Sequence, residues 1–167
     1  IKVWFIAFQP DHVQRDAPLI HAAAEEARNV GLPLVVHATE LETARVAIRA
    51  GATLLVHGVD DAPLDDDFVA AALDSGVSYC PTLIVGQGYG HLANREVPEA
   101  VEAGLEWVSP SIAERVLATR ELAPDPRRTT ELARAMDLRR AERAKRNAEN
   151  TLRLARAGVP IVPVSYT

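Results

Sequence analysis

The sequence predicts an α/β fold built on a parallel sheet, and three observations predict it. Short apolar runs recur without strict alternation, helical patterns separate them, and a glycine closes each helical pattern. Apolar runs of this kind suit strands buried on both faces of a parallel sheet. Strict alternation of strand and helix is the mark of parallel α/β architecture.

The strand-like runs are Ile1–Phe8, Leu32–Ala38, Thr53–Val59 and Val77–Val85, with a fifth at Pro160–Tyr166. Pro33 and Pro160 fall at strand starts, where a missing N–H is tolerated. The first helical pattern, "APLIHAAAEEARNVG", is rich in strong helix formers and closes at Gly31. "ELETARVAIRAG" sets Leu41, Ala44, Val46, Ala47 and Ala50 along one stripe and closes at Gly51. "DDAPLDDDFVAAALDSG" opens with carboxylates, which favour a helix N-terminus, and closes at Gly76. "TELARAMDLRRAERAKRNAENTLRLARA", Thr130–Ala157, reads as one long amphipathic helix before Gly158. The segments "VGLPLVVH", "AGATLLVH", "SGVSYCPT" and "AGVPIVPV" therefore repeat one helix–glycine–strand unit. A long insertion at 86–130 breaks the last interval; it opens on "GQGYGH", is too long for a plain loop, and is expected to hold helices and act as a lid or side wall.

Composition narrows the class. With 48% hydrophobic and 25% charged residues, the 167-residue chain can bury a core. A formal charge of −5 offers no basic surface to nucleic acid. No apolar run approaches the ~20 residues of a membrane helix, and no signal-peptide pattern stands at the start, so a cytoplasmic setting is expected over an exported one. The single cysteine, Cys80, rules out an internal disulfide. Both ends run into strand-like segments, which suggests an excerpt of a longer protein.

Two histidines, His37 and His57, each end an apolar run six residues after a glycine, Gly31 and Gly51. In a parallel α/β barrel the C-terminal strand ends form one rim, and side chains there converge. The pair is thus placed to share a metal ion, although either could instead be a hydrogen-bonding residue at a strand end. Lys2 lies in the preceding run, "IKVW". A buried lysine must be paired or neutralised. Carboxylation by carbon dioxide gives a carbamate that can bridge metals; the alternative is a lysine that snorkels to a carboxylate partner.

The runs "IKVW", "LPLVVHATELETARVAIRAGATLLVHGVDDAPLDDDFV", "GVSYCPTLIV" and "RNAENTLRLARAGVPIV" together resemble the metal-dependent amidohydrolase superfamily, in particular its imidazolonepropionase-like and Xaa-Pro-dipeptidase-like branch. The resemblance implies a (β/α)₈ barrel of the TIM type, of which residues 1–167 supply about strands four to eight as part of a catalytic domain. It puts Lys2 on the carboxylated lysine of the fourth strand, His37 on the fifth-strand histidine and His57 on the sixth-strand histidine. The implied cofactor is one or two divalent ions, usually Zn²⁺, with a carbamate formed on Lys2 from CO₂. The implied chemistry is attack of a metal-activated water on the carbonyl of a small amide, dipeptide or cyclic amide. An eighth-strand aspartate would handle the protons.

The family's first-strand His-x-His pair would precede Ile1. At the other end, "GVPIVPVSYT" departs from the family's Gly-Thr-Asp and sets Tyr166 where the aspartate is expected. Either the last residues are not a faithful continuation of the strand, or the catalytic base is lost; a phenol of pKa about 10 is a poor base at neutral pH. The competing reading is a non-catalytic α/β barrel fragment or binding module. An open half-barrel exposes strand edges and is expected to self-associate as a homo-oligomer.

Tyr89 and His91, after "GQGYG", are candidate substrate contacts beside the simpler reading of a solvated loop. His12 and His21 are read as non-functional, and Cys80 as core. Asp60 and Asp61 are placed either to orient a histidine or to cap the next helix, and capping is preferred.

Overall fold

The computed structural model describes residues 1–123 and 129–163. Four parallel strands, β1 (Lys2–Trp4), β2 (Val35–His37), β3 (Leu54–Val56) and β4 (Ser78–Cys80), pair in sequential order. Helices α1 (Pro10–Asn29), α2 (Leu41–Ala50) and α3 (Asp66–Ser75) connect them. Helices α4 (Val85–Asn94), α5 (Glu99–Ala103) and α6 (Pro110–Leu117) follow β4, and α7 spans Thr130–Ala157. The expected α/β class and parallel sheet are present.

Ile1–Leu83, together with the chain from Arg143, forms one compact unit, and Ile84–Glu142 forms a second. In the first unit, each of the predicted helix-ending glycines adopts the left-handed backbone: Gly31 (φ 67°), Gly51 (98°), Gly76 (68°) and Gly158 (97°). That conformation costs a residue with a Cβ about 1–2 kcal/mol and glycine almost nothing.

The sheet is two-faced. Val36, Leu55 and Tyr79 point to one side and join a core with Ala24 and Ala27 of α1, Ala44 and Ala47 of α2, Phe68 and Ala72 of α3, and Leu154 of α7. Alanines on the helices let them approach the sheet closely. The opposite face carries Lys2, Trp4, His37, Val56 and Cys80, following the two-residue period of a strand. Lys2 is exposed there and Trp4 is 72% exposed, because nothing among the described residues covers the face beside β1.

The strands are shorter than the apolar runs. Ile1–Phe8 contributes three strand residues, and Val77–Val85 ends as strand at Cys80. The fifth run contributes a single bridge, Ile161 to Tyr79. Helix α1 starts at Pro10, ahead of the segment read as helical. Pro10 needs no N–H at the first turn, whereas the interior Pro18 masks the continuity of the helix in sequence. "GQGYGH" is not a loop but lies within α4.

Side-chain capping also differs from the sequence reading. Helix α3 is capped by Asp65, whose carboxylate accepts from the Phe68 N–H at 2.9 Å. Asp61 instead accepts from Leu41 N at the start of α2, and Asp60 pairs with Arg143 of α7. Neither caps the next helix.

The loop after β3 is held by buried side chains. Tyr79, 1% exposed, accepts a 2.6 Å hydrogen bond from the Val59 N–H. Burial raises the Tyr79 phenol well above its ordinary value, so it stays protonated. Tyr79→Phe leaves the buried Val59 N–H without a partner and is expected to cost about 1–3 kcal/mol. Denaturant unfolding of the intact protein, with the m-value unchanged, reads that loss.

Candidate metal centre

His37 is the last residue of β2, and β2 pairs it with Val56 rather than with His57. His57 is therefore one residue further along than the equal glycine spacing suggests. In a continued strand that offset would turn its side chain to the helix-covered face. His57 avoids this by adopting the left-handed backbone, φ 68°. Its ring then lies beside that of His37, with centroids 4.3 Å apart and planes at 53°. The expected convergence of the two imidazoles is present, but a backbone outlier creates it. For a non-glycine residue such a conformation costs about 1–3 kcal/mol and survives only where its surroundings impose it.

Those surroundings are specific. The His57 N–H donates to Cys80 O (2.9 Å), and the Gly58 N–H donates to Pro81 O (3.1 Å). Pro81 O also accepts from Asn147 Nδ2 of α7 at 3.0 Å. Asn147 packs so tightly on Gly58 that a Cβ there would lie 1.7 Å from its Oδ1. Three residues on, Asn150 donates to Val59 O and Ala62 O, each at 2.9 Å, and accepts from Leu64 N at 3.0 Å. Asn147 and Asn150 were not singled out in the sequence. Their signal is two weak helix formers at i, i+3 within a helix of strong ones.

The rings are electrically prepared for neutrality. Burial first, then His37 and Lys2, together lower the pKa of His57 to about 4. His37 is lowered by burial first and then by Lys2. Trp4 stacks on His37 with centroids 5.3 Å apart and planes at 24°. His57 Nδ1 has a partner, the Thr82 hydroxyl at 2.9 Å. His37 Nδ1, by contrast, is buried and has no hydrogen-bond partner among the described residues. A buried polar nitrogen without a partner is costly and calls for an occupant.

Lys2 shares the sheet face with His37, but it is exposed, not buried as the carbamate argument assumed. Cys80 is buried as expected for core, and burial pushes its thiol up. It faces the histidine side of the sheet, in line with Val56 and His37. Among the described residues, no group of three or more His, Cys, Asp and Glu side chains could hold a metal ion. His12 and His21 lie on α1, outside this arrangement.

Tyr89 and His91 belong to α4 in the second unit, where Tyr89 is exposed and His91 Nδ1 lies 2.9 Å from Glu96 Oε2. Tyr166 lies outside the described residues. No described helix is long and apolar enough to cross a membrane.

Neither a protein-family model nor a curated protein sequence matches the chain. Solved structures do. The chain is similar to a Xaa-Pro dipeptidase crystallised with methionine in its active site, at TM-score 0.55 and 17% identity, over 88% of this chain and 27% of that one. It is similar to the ochratoxinase of A. niger, again at TM-score 0.55 and 17% identity, over 99% of this chain and 30% of that one. A molinate hydrolase aligns at TM-score 0.43 and 20% identity, over 84% and 22% of the two chains. The chain thus has the fold of one part of the dipeptidase and the ochratoxinase and spans about 30% or less of their length.

Proposed function

We propose that the chain is part of a (β/α)₈ barrel of a metal-dependent amidohydrolase, and that His37 and His57 hold a divalent metal together with Lys2. The single observation that carries this reading is the histidine pair: two rings 4.3 Å apart, one with a buried, unpartnered nitrogen. The residues fit a metal. His37 offers Nδ1, and His57, whose Nδ1 is engaged, offers Nε2. Both rings are held neutral, as ligation requires. Sequential parallel strands without a reversal of order agree with a segment of a barrel.

When bound, a zinc or similar ion lowers the pKa of a coordinated water toward neutrality and polarises a carbonyl. The residues of this chain contribute position. His37 and His57 present neutral nitrogens, Trp4 backs the His37 ring, and Lys2 supplies an amine that can add CO₂, losing a proton to form a carbamate. A dipeptidase among the similar folds favours a C–N bond in a small amide, dipeptide or cyclic amide as the target. The resemblance sets Tyr166 where the proton-shuttling aspartate is expected; either the last residues do not continue the strand faithfully or the base is lost, and these 167 residues alone are expected to be inactive. Tyr89 and His91 remain candidate substrate contacts.

Metal analysis of the full-length protein tests the proposal. His37→Ala and His57→Ala are each expected to lower bound metal severalfold and to remove amide hydrolysis. Undiminished metal in both variants sinks it.

A further inference from the structure

The geometry points to Thr82 as the residue that positions His57, fixing its ring as the Nδ1–H tautomer with Nε2 left to act as ligand. The inference rests on the metal reading for its purpose, but not for its geometry. Thr82 lies two residues beyond β4 and, like His57, adopts the left-handed backbone, φ 45°. A β-branched residue is a genuine outlier there. Two non-glycine residues with this conformation face each other across adjacent strand ends, and the outcome of both is one contact: Thr82 Oγ1 to His57 Nδ1 at 2.9 Å.

The backbone beneath the contact is fixed independently. The hydrogen bonds from His57 N to Cys80 O and from Gly58 N to Pro81 O join the two segments immediately before the contact. Asn147 then ties Pro81 O to α7. The groups otherwise placed to orient the histidine are engaged elsewhere: Asp60 with Arg143, and Asp61 with the Leu41 N–H. That leaves the threonine hydroxyl as the partner of Nδ1. A neutral imidazole carries one ring proton, and the nitrogen that donates a hydrogen bond determines which nitrogen keeps its lone pair. With Nδ1–H donating to Thr82 Oγ1, the lone pair resides on Nε2. Metal-binding histidines are commonly held in this manner by an outer partner.

Two variants separate the hydroxyl from the shape. Thr82→Val keeps the β-branched form and removes the acceptor; Thr82→Ser keeps the acceptor and relaxes the backbone. In the metal-free, full-length protein, nitrogen-15 NMR of the His57 ring should show the Nδ1–H tautomer in the wild type and in Thr82→Ser. The same spectrum of Thr82→Val should show a mixture or the Nε2–H form. Titration with Co²⁺ alone should give roughly 10–100-fold weaker binding for Thr82→Val, with Thr82→Ser close to wild type. An Nε2–H ring in the wild type, or a Thr82→Val protein with wild-type tautomer and Co²⁺ affinity, overturns the assignment. If the wild type binds no Co²⁺ while the tautomer still follows the hydroxyl, the metal reading fails and the positioning role stands.

Discussion

Asn150→Leu is expected to destabilise the protein by roughly 3–5 kcal/mol, a large fraction of a typical domain's margin. Asn150 is 3% exposed and satisfies three backbone groups of one loop: the carbonyls of Val59 and Ala62 and the N–H of Leu64. Leucine has the same branched skeleton of four side-chain heavy atoms, so no cavity is left and the loss is chiefly one of hydrogen bonds. Each buried group left unsatisfied costs about 1–3 kcal/mol. Asn150→Asp sharpens the measurement. It keeps the acceptor for Leu64 N but turns a carboxylate toward two carbonyl oxygens, so it should be no better than leucine. Denaturant unfolding of the intact protein decides it, and a loss below about 1 kcal/mol would mean that water replaces the amide.

Gly58→Ala is expected to be nearly as damaging, through space instead of hydrogen bonding. The added methyl would sit 1.7 Å from Asn147 Oδ1 and 2.4 Å from its Cγ, far inside contact distance. Asn147 is 9% exposed and cannot simply swing aside without giving up its bond to Pro81 O. Overpacking costs about 1–3 kcal/mol, and the abandoned carbonyl adds a similar amount. On the proposed metal reading, metal content should fall as well, since Gly58 follows His57 directly. A double-mutant cycle with Asn147→Ala isolates the contact: in that background Gly58→Ala should cost much less. Equal cost in both backgrounds would place the strain elsewhere.

Much of the architecture was legible in the sequence because it is written in local signals. The glycines that close helices at Gly31, Gly51, Gly76 and Gly158 each take the left-handed backbone that the reading assumed. Helix α7 begins and ends where its pattern does, at Thr130 and Ala157. Where local signals conflicted, the reading slipped: Pro18 hid the first half of α1, and three glycines disguised α4 as a loop. The proximity of His37 and His57 was readable, but its cause was not. Equal spacing from a glycine implied equal register, whereas the pairing offsets them by one and a left-handed residue restores the alignment. Thr82, Asn147 and Asn150 escaped notice because their roles exist only after segments distant in sequence meet. An asparagine on a helix carries no local mark of the carbonyl it will bind.

The distance along the chain between α7 and the loop it holds sets an order of assembly. Asn150 lies 86 residues beyond Leu64 and 91 beyond Val59, the backbone groups it ties. During synthesis His57 therefore leaves the ribosome long before the asparagines that hold its loop. At about 5–20 residues per second, several seconds separate the two events. The sheet and its first helices can pair through near neighbours in that interval, while contacts of such long range form late. The loop after His57 is then completed late, and a chain interrupted before α7 would carry both histidines on their paired strands without the asparagines that tie that loop and Pro81 O.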